Sequence, residues 1–242
     1  MMWDRRELKA RGKAAFRANY WRCVLAAVIM SIVIGGGAGG SATSAASSSS
    51  NDGNSMIQIT QTTNSYSRTE RAIISGVAAS VLGIAGGVAL ALDVFVFNPL
   101  EVGGQRFFLV NTATAAEVNE FGFGFKYRYG NVVVTMLLRQ IFLLLWTLLF
   151  IIPGIIKAYS YRLVPFILAE NPDMAPMDAI TRSRTLMNGH KWDAFVLDLS
   201  FIGWVLLGIV TLGLSLIFYS NPFYYATNAE MYRFLREQEG IA

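Results

Sequence analysis

Apolar residues gather into long runs rather than alternating, and the runs set the elements. Trp21 to about Gly37, Ala72 to Phe97, Val132 to Ile152, Ile155 to Ala169 and Trp192 to Phe218 are dominated by Leu, Ile, Val, Ala, Gly and Phe. Several approach or exceed the roughly 20 residues a helix needs to cross a hydrocarbon core about 30 Å thick, and none reads as the dyad pattern of a barrel strand. The pattern predicts an all-α fold, a polytopic membrane helix bundle forming one domain over 1–242.

Between the runs, polar segments predict how the spans connect. Residues 1–22 predict a basic amphipathic helix, with Asp4 and Glu7 as an N-cap and its reciprocal partner and with Leu8, Ala15, Phe16 and Tyr20 on one face. Residues 40–70 are Ser, Thr, Asn and Gln with hardly any charge, which predicts a flexible outer loop. Asn98-Pro99 predicts the end of the second helix, and 98–130 a cytoplasmic segment whose aromatic "EFGFGFKYRYG" lies at the membrane interface. Pro153-Gly154 predicts the turn of a helical hairpin, and 170–191 a second cytoplasmic interfacial segment with a short helix between Pro176 and Asn188-Gly189. A break near Leu212-Gly213 divides the last run into two helices, which makes six spans; without that division there are five.

Charge sets the orientation. The chain carries 20 Lys and Arg against 16 Asp and Glu, with a sequence pI near 9.3. The cations cluster in the segments between spans, so the positive-inside rule places both termini of a multi-pass protein in the cytoplasm. The same cations point to anionic lipid headgroups rather than nucleic acid as partners, with a homo-oligomer or a membrane-protein partner also compatible.

Composition narrows the chemistry. One cysteine, Cys23, and one histidine, His190, exclude an intrachain disulfide and the usual nitrogen and sulfur metal sets. There is no HExxH, GxSxG, P-loop or CxxC motif, so the expectation is a non-catalytic protein without a metal or cofactor. Two constellations remain. Small residues recur at every fourth position in two runs, among them Ala27, Ser31 and Gly35 in the first and Ala79, Gly83 and Gly87 in the second, the pattern by which membrane helices approach closely. Asp93, Arg139, Arg162 and Asp198 fall within predicted spans, roughly 7–12 Å from the inner boundary at about 1.5 Å per residue. Isolated charges there are costly, so the four either pair in the bundle interior or each snorkel or cap separately. Lys157 lies near the predicted outer turn and reads as a snorkelling cation.

The stretches "WTLLFIIPGIIKAYSYRLVPFILAENPDM", "NGHKWDAFVLDLSFIGW" and "TLGLSLIFYSNPFYYA" resemble the signature region of the bacterial integral membrane family named domain of unknown function 975. "WDRRELKARGKAAFRANYWRCVL" and "NPLEVGGQRFFL" resemble its other blocks. The resemblance implies a multi-helix membrane protein, mainly from Gram-positive bacteria, distantly similar to the membrane domain of some bacterial glycerophosphodiester phosphodiesterases, and it implies no catalytic residues. Function stays open between a bundle acting through lipid or another membrane protein and a transporter of lipid or small solutes that uses the buried charges.

Overall fold

The computed structural model describes residues 4–38, 80 and 83–240, with the side chains of 35–38 outside the description. The loop expected at 40–70 and Ala79 lie outside the described residues. Every regular element among those described is helical.

Helix α1, Arg5–Ala18, starts as its sequence predicts: the Asp4 side chain accepts from the Arg6 backbone N–H at 2.8 Å. Glu7 does not reach back to complete a box but pairs with Arg11 one turn on, at 2.6 Å. Leu8 and Phe16 are buried. At Asn19 the chain turns by 106° into α2, Tyr20–Ala38. This corner is pinned because the Asn19 amide donates to Asn111 Oδ1 and to the Ala116 carbonyl.

Helix α3 runs unbroken from Gly83 to Asn111, so Asn98-Pro99 does not end it. Residues Asp93–Phe97 form a π-helical turn, in which the Asn98 N–H bonds to the Asp93 carbonyl. Widening the register absorbs the proline, whose ring would otherwise clash with the preceding turn of an α-helix. A 3-10 turn, Val118–Gly122, and the short α4, Phe123–Lys126, lead to α5, Tyr129–Leu149. The hairpin turn falls at Phe150, which is extended, rather than at Pro153-Gly154. Pro153 sits in the first turn of α6, Ile151–Ser160, where its missing N–H has no intrahelical partner to lose. Gly154 lets α6 lie against α5, since a Cβ there would stand 2.7 Å from Thr147 Oγ1.

A turn at 161–163 separates α6 from α7, Val164–Glu170. Then follow α8, Pro176–Leu186, α9, Lys191–Leu199, and α10, Ile202–Val210. The chain reverses at Leu212 and Gly213, both with positive φ (52° and 87°), the break that glycine makes accessible there. A second π turn, Leu216–Ser220, feeds α11, Asn221–Gln238.

Burial is divided along these helices. Phe16, Phe107, Phe108, Phe166, Leu168 and Tyr232 are fully enclosed in a core built from α1, the second half of α3, α7 and α11. The first half of α3, the α5–α6 hairpin tip and α10 with its reversal instead expose Ile84, Leu90, Leu148, Phe150, Val210 and Leu212. Surface of that kind is consistent with a membrane protein.

Among the described residues, four helices are long and apolar enough to cross a membrane: Gly83–Asn111, Tyr129–Leu149, Ile151–Glu170 and Lys191–Val210. Counting the bent pair α1 and α2 as one span makes five. The expected sixth, at the C-terminus, is not among them, because α11 carries Glu230, Arg233, Arg236 and Glu237 and is mostly enclosed by protein.

Glu230 is buried, and loss of hydration pushes its carboxyl above the usual range, an effect only partly offset by Arg233 and Arg11. The folded chain therefore holds this proton more tightly than the unfolded chain, so stability is lost as pH rises through the folded-state value. Glu230→Gln is expected to raise the melting temperature at pH 7.5, with the gain vanishing in acid. Thermal melts in detergent between pH 4 and 8 measure this, and a Glu230→Gln protein that melts below the parent at pH 7.5 contradicts it.

Candidate functional site

The structure divides the four predicted charges between two places. Arg162 lies in the turn between α6 and α7, and Asp198 near the end of α9. They form a two-pronged ion pair, Nη1 to Oδ2 and Nη2 to Oδ1, both at 2.8 Å. This fork-on-fork geometry is the strong form of the contact.

Further polar groups close around the pair. Arg162 Nη2 also reaches Tyr224 Oη at 2.8 Å and Asn228 Oδ1 at 2.7 Å, two residues one turn apart on α11. Tyr159 donates to Asp198 Oδ2 at 2.9 Å, and Tyr224 to Oδ1 at 3.2 Å. The carboxylate thus receives four donor contacts, and the guanidinium head, besides its oxygen acceptors, lies over the Tyr159 and Tyr224 rings at 5.7 and 5.8 Å. Side-chain exposure is 15% for Arg162 and 27% for Asp198, so the pair is partly shielded and opens on one side. That side is a cavity of about 260 Å3 lined by Ala158, Tyr159, Arg162 and Asp198.

The other two charges take different partners. Arg139 on α5 pairs with Glu101 on α3 at 3.1 Å, both shielded. Asp93, in the first π turn, accepts from Gln140 at 3.0 Å, and Gln140 also donates to Asn98 at 3.0 Å. Among the described residues no ion pair joins Asp93 or Arg139 to Arg162 or Asp198. Glu101, Tyr159, Tyr224, Asn228 and Gln140 were not legible as partners. The one available signal was the spacing of Tyr224 and Asn228, which puts two polar groups on one face of a helix.

Lys157 stacks its ammonium 4.6 Å above the centre of the Trp146 ring. Its electrostatic neighbours are Arg184 and Lys191, so α6 does not carry it a membrane thickness away from 170–191. Beside it, Ile155, Ile156, Tyr159, Lys191, Trp192 and Phe195 line an apolar groove of about 310 Å3 between α6 and α9. Trp192 is 71% exposed at its rim. His190 lies 3.8 Å from Asp193 at the start of α9.

The small-residue strips meet different fates. Ala27 is buried and Ser31 half-buried, against α3 and α11: Met30, on the same side, fills the space a Cβ on Gly104 would need, and Asn221 donates to Ser31 at 2.9 Å. Gly35 lies in α2, with its side-chain surroundings outside the description. Among the described residues nothing comes within 4 Å of a Cβ built on Gly83 or Gly87. The strip on α2 therefore packs on α3 beyond the proline and on α11, not on Gly83 and Gly87.

No curated protein matches the chain, and no solved structure does. The segment that holds Tyr159, Arg162, Asp198, Tyr224, Asn228 and the groove is matched, over residues 149–239, by the model of a family described as protein of unknown function (DUF975), and it is to that family that this part of the chain is similar.

Proposed function

We propose that this is a non-catalytic, multi-pass protein of a bacterial cytoplasmic membrane, with both termini in the cytoplasm, that works by engaging anionic lipid. The observation that carries the reading is the groove between α6 and α9. Its walls are Ile155, Ile156, Trp192 and Phe195, which suit an acyl chain, while Lys191 in the wall and Lys157 and Arg184 beside it suit a phosphate headgroup. The Arg162–Asp198 site supports a non-catalytic role. The carboxylate already accepts from Arg162, Tyr159 and Tyr224, which leaves it poorly placed to take a proton from a substrate.

Quenching of tryptophan fluorescence in nanodiscs tests the reading. Brominated phosphatidylglycerol is expected to quench more than brominated phosphatidylcholine at equal content. Trp192→Phe should remove that difference, and Lys191→Gln with Arg184→Gln should shrink it. Equal quenching by the two lipids in the parent protein overturns the proposal. A second reading, transport of lipid or a small solute, draws on the 260 Å3 cavity that opens beside Arg162 and Asp198. Substrate flux across sealed vesicles that is lost in Tyr159→Phe would favour it.

A further inference from the structure

Two short sequence patterns each occur twice, and the structure crosses them over. Phe-basic-x-x-Tyr appears as Phe16-Arg17-Ala18-Asn19-Tyr20 and as Phe125-Lys126-Tyr127-Arg128-Tyr129. Phe-x-x-Asn-Pro appears as Phe95-Val96-Phe97-Asn98-Pro99 and as Phe218-Tyr219-Ser220-Asn221-Pro222. Each tyrosine is the first residue of a long apolar helix, α2 or α5, and each Asn-Pro follows a π turn of five residues.

The proline in each π-turn helix leaves a specific group to satisfy. In an α-helix the N–H of residue 99 would meet the carbonyl of Phe95, and that of 222 the carbonyl of Phe218; proline has no N–H to offer. In both places a tyrosine supplies the missing donor. Tyr129 Oη donates to the Phe95 carbonyl at 2.8 Å, and Tyr20 Oη to the Phe218 carbonyl at 3.1 Å. The donor always comes from the other half of the chain.

The surroundings of the two contacts repeat as well. The asparagine before each proline bonds a side chain at the matching position of the tyrosine's helix: Asn221 to Ser31 at 2.9 Å, and Asn98 with Gln140 at 3.0 Å. Each tyrosine ring lies against the phenylalanine of its own pattern, with centroids 5.1 Å apart for Phe16 and Tyr20 and 5.9 Å for Phe125 and Tyr129. Glycine lets the segment before each tyrosine sit on the other half's proline helix: Gly12 against Thr227 of α11, and Gly124 against the Pro99 carbonyl of α3.

We infer that the chain is two copies of one helical unit, exchanged so that the tyrosine helix of each half clamps the π turn of the other, and that these two clamps are an equivalent pair of hinge points holding the apolar helices to the core. Each clamp stands where exposed apolar helix meets enclosed helix. Phe95 is 53% and Phe218 42% exposed, whereas Pro99 and Pro222 are buried. Release of a clamp would free the exposed part of the helix to change its angle to the core, since proline already denies the Phe95 or Phe218 carbonyl its helical N–H.

Hydrogen–deuterium exchange on the full chain in nanodiscs tests this. A neutral hydrogen bond is worth about 1 kcal/mol, so losing one should speed opening by about fivefold. Tyr129→Phe is expected to speed exchange by that order at 93–100 and not at 216–224, and Tyr20→Phe the reverse. Tyr232→Phe, which removes a hydroxyl bonded to Glu170, should leave both turns as they were. The decisive arm adds Pro99→Ala, which restores an N–H for Phe95; in that background Tyr129→Phe should no longer change exchange at 93–100. Faster exchange confined to the mutated residue's own helix, an effect at one clamp only, or an undiminished Tyr129→Phe effect beside Ala at 99 would each overturn the inference.

Discussion

Asp198→Asn is expected to be the most damaging single substitution at the charged site. It leaves the Arg162 guanidinium, 15% exposed, with no anion on any side, against Tyr224 and Asn228 alone. Removing one member of a buried pair costs about 3–5 kcal/mol in the dry limit. The open cavity beside the pair admits water and moves the cost toward the lower end of that range. Arg162→Gln together with Asp198→Asn should recover much of the loss, because no lone charge then remains. A cycle of the two singles and the double, read from denaturation in detergent, separates this from independent surface charges: contacting groups give a coupling term, and distant ones add. Arg162→Gln paired with Asp93→Asn is the control and should be additive, since Asp93 bonds Gln140 on a different pair of helices. An additive Arg162–Asp198 cycle would remove the ion pair from the account of what holds α9 to the turn between α6 and α7.

Gly103→Ala is the other substitution with a large expected effect. The added methyl would run into the carbonyl of Phe121, a backbone group that cannot swing aside as a side-chain end can. Overpacking of this kind costs about 1–3 kcal/mol. The 118–126 segment should then lift from α3, with a lower melting temperature and faster exchange at Phe121 and Phe123. Gly87→Leu is the contrasting change. A Cβ at 87 meets none of the described residues, so the stability of the monomer in detergent should stay as it was. A drop that depends on protein concentration would instead show that a second copy packs on Gly83 and Gly87.

Much of the local structure was legible in the sequence because it depends on neighbours along the chain. The cap at Asp4, the amphipathic face through Leu8 and Phe16, the start of α8 at Pro176 and the reversal at Leu212-Gly213 each follow from a few adjacent residues. The all-helical class follows from the length of the apolar runs. Arg162 and Asp198 were legible as charges in apolar surroundings, and pairing with Asp198 was one of the alternatives they left open. The choice of Asp198 over Asp93, and of Glu101 for Arg139, depends on which helices come together, and no local pattern carries that.

Asn98-Pro99 marks the boundary between the two kinds of information. By itself the dipeptide reads as a stop, because proline removes an N–H and crowds the turn before it. The helix continues because a hydroxyl from Tyr129 satisfies the exposed carbonyl and Asn98 accepts from Gln140, and both donors lie on α5. The small-residue strips make the same point. Spacing alone placed Ala27, Ser31, Gly83 and Gly87 on helix faces suited to close approach, but which face is covered depends on the crossing of α2 with α3 and α11. Sequence by itself determined the helices, their caps and the apolar runs long enough to cross a membrane, since those come from backbone geometry and hydration within a few turns. Only the tertiary structure decided which helices continue, which charges meet and which faces stay open, since each of those depends on a hydrogen-bond partner or a contact surface supplied from a distant part of the chain.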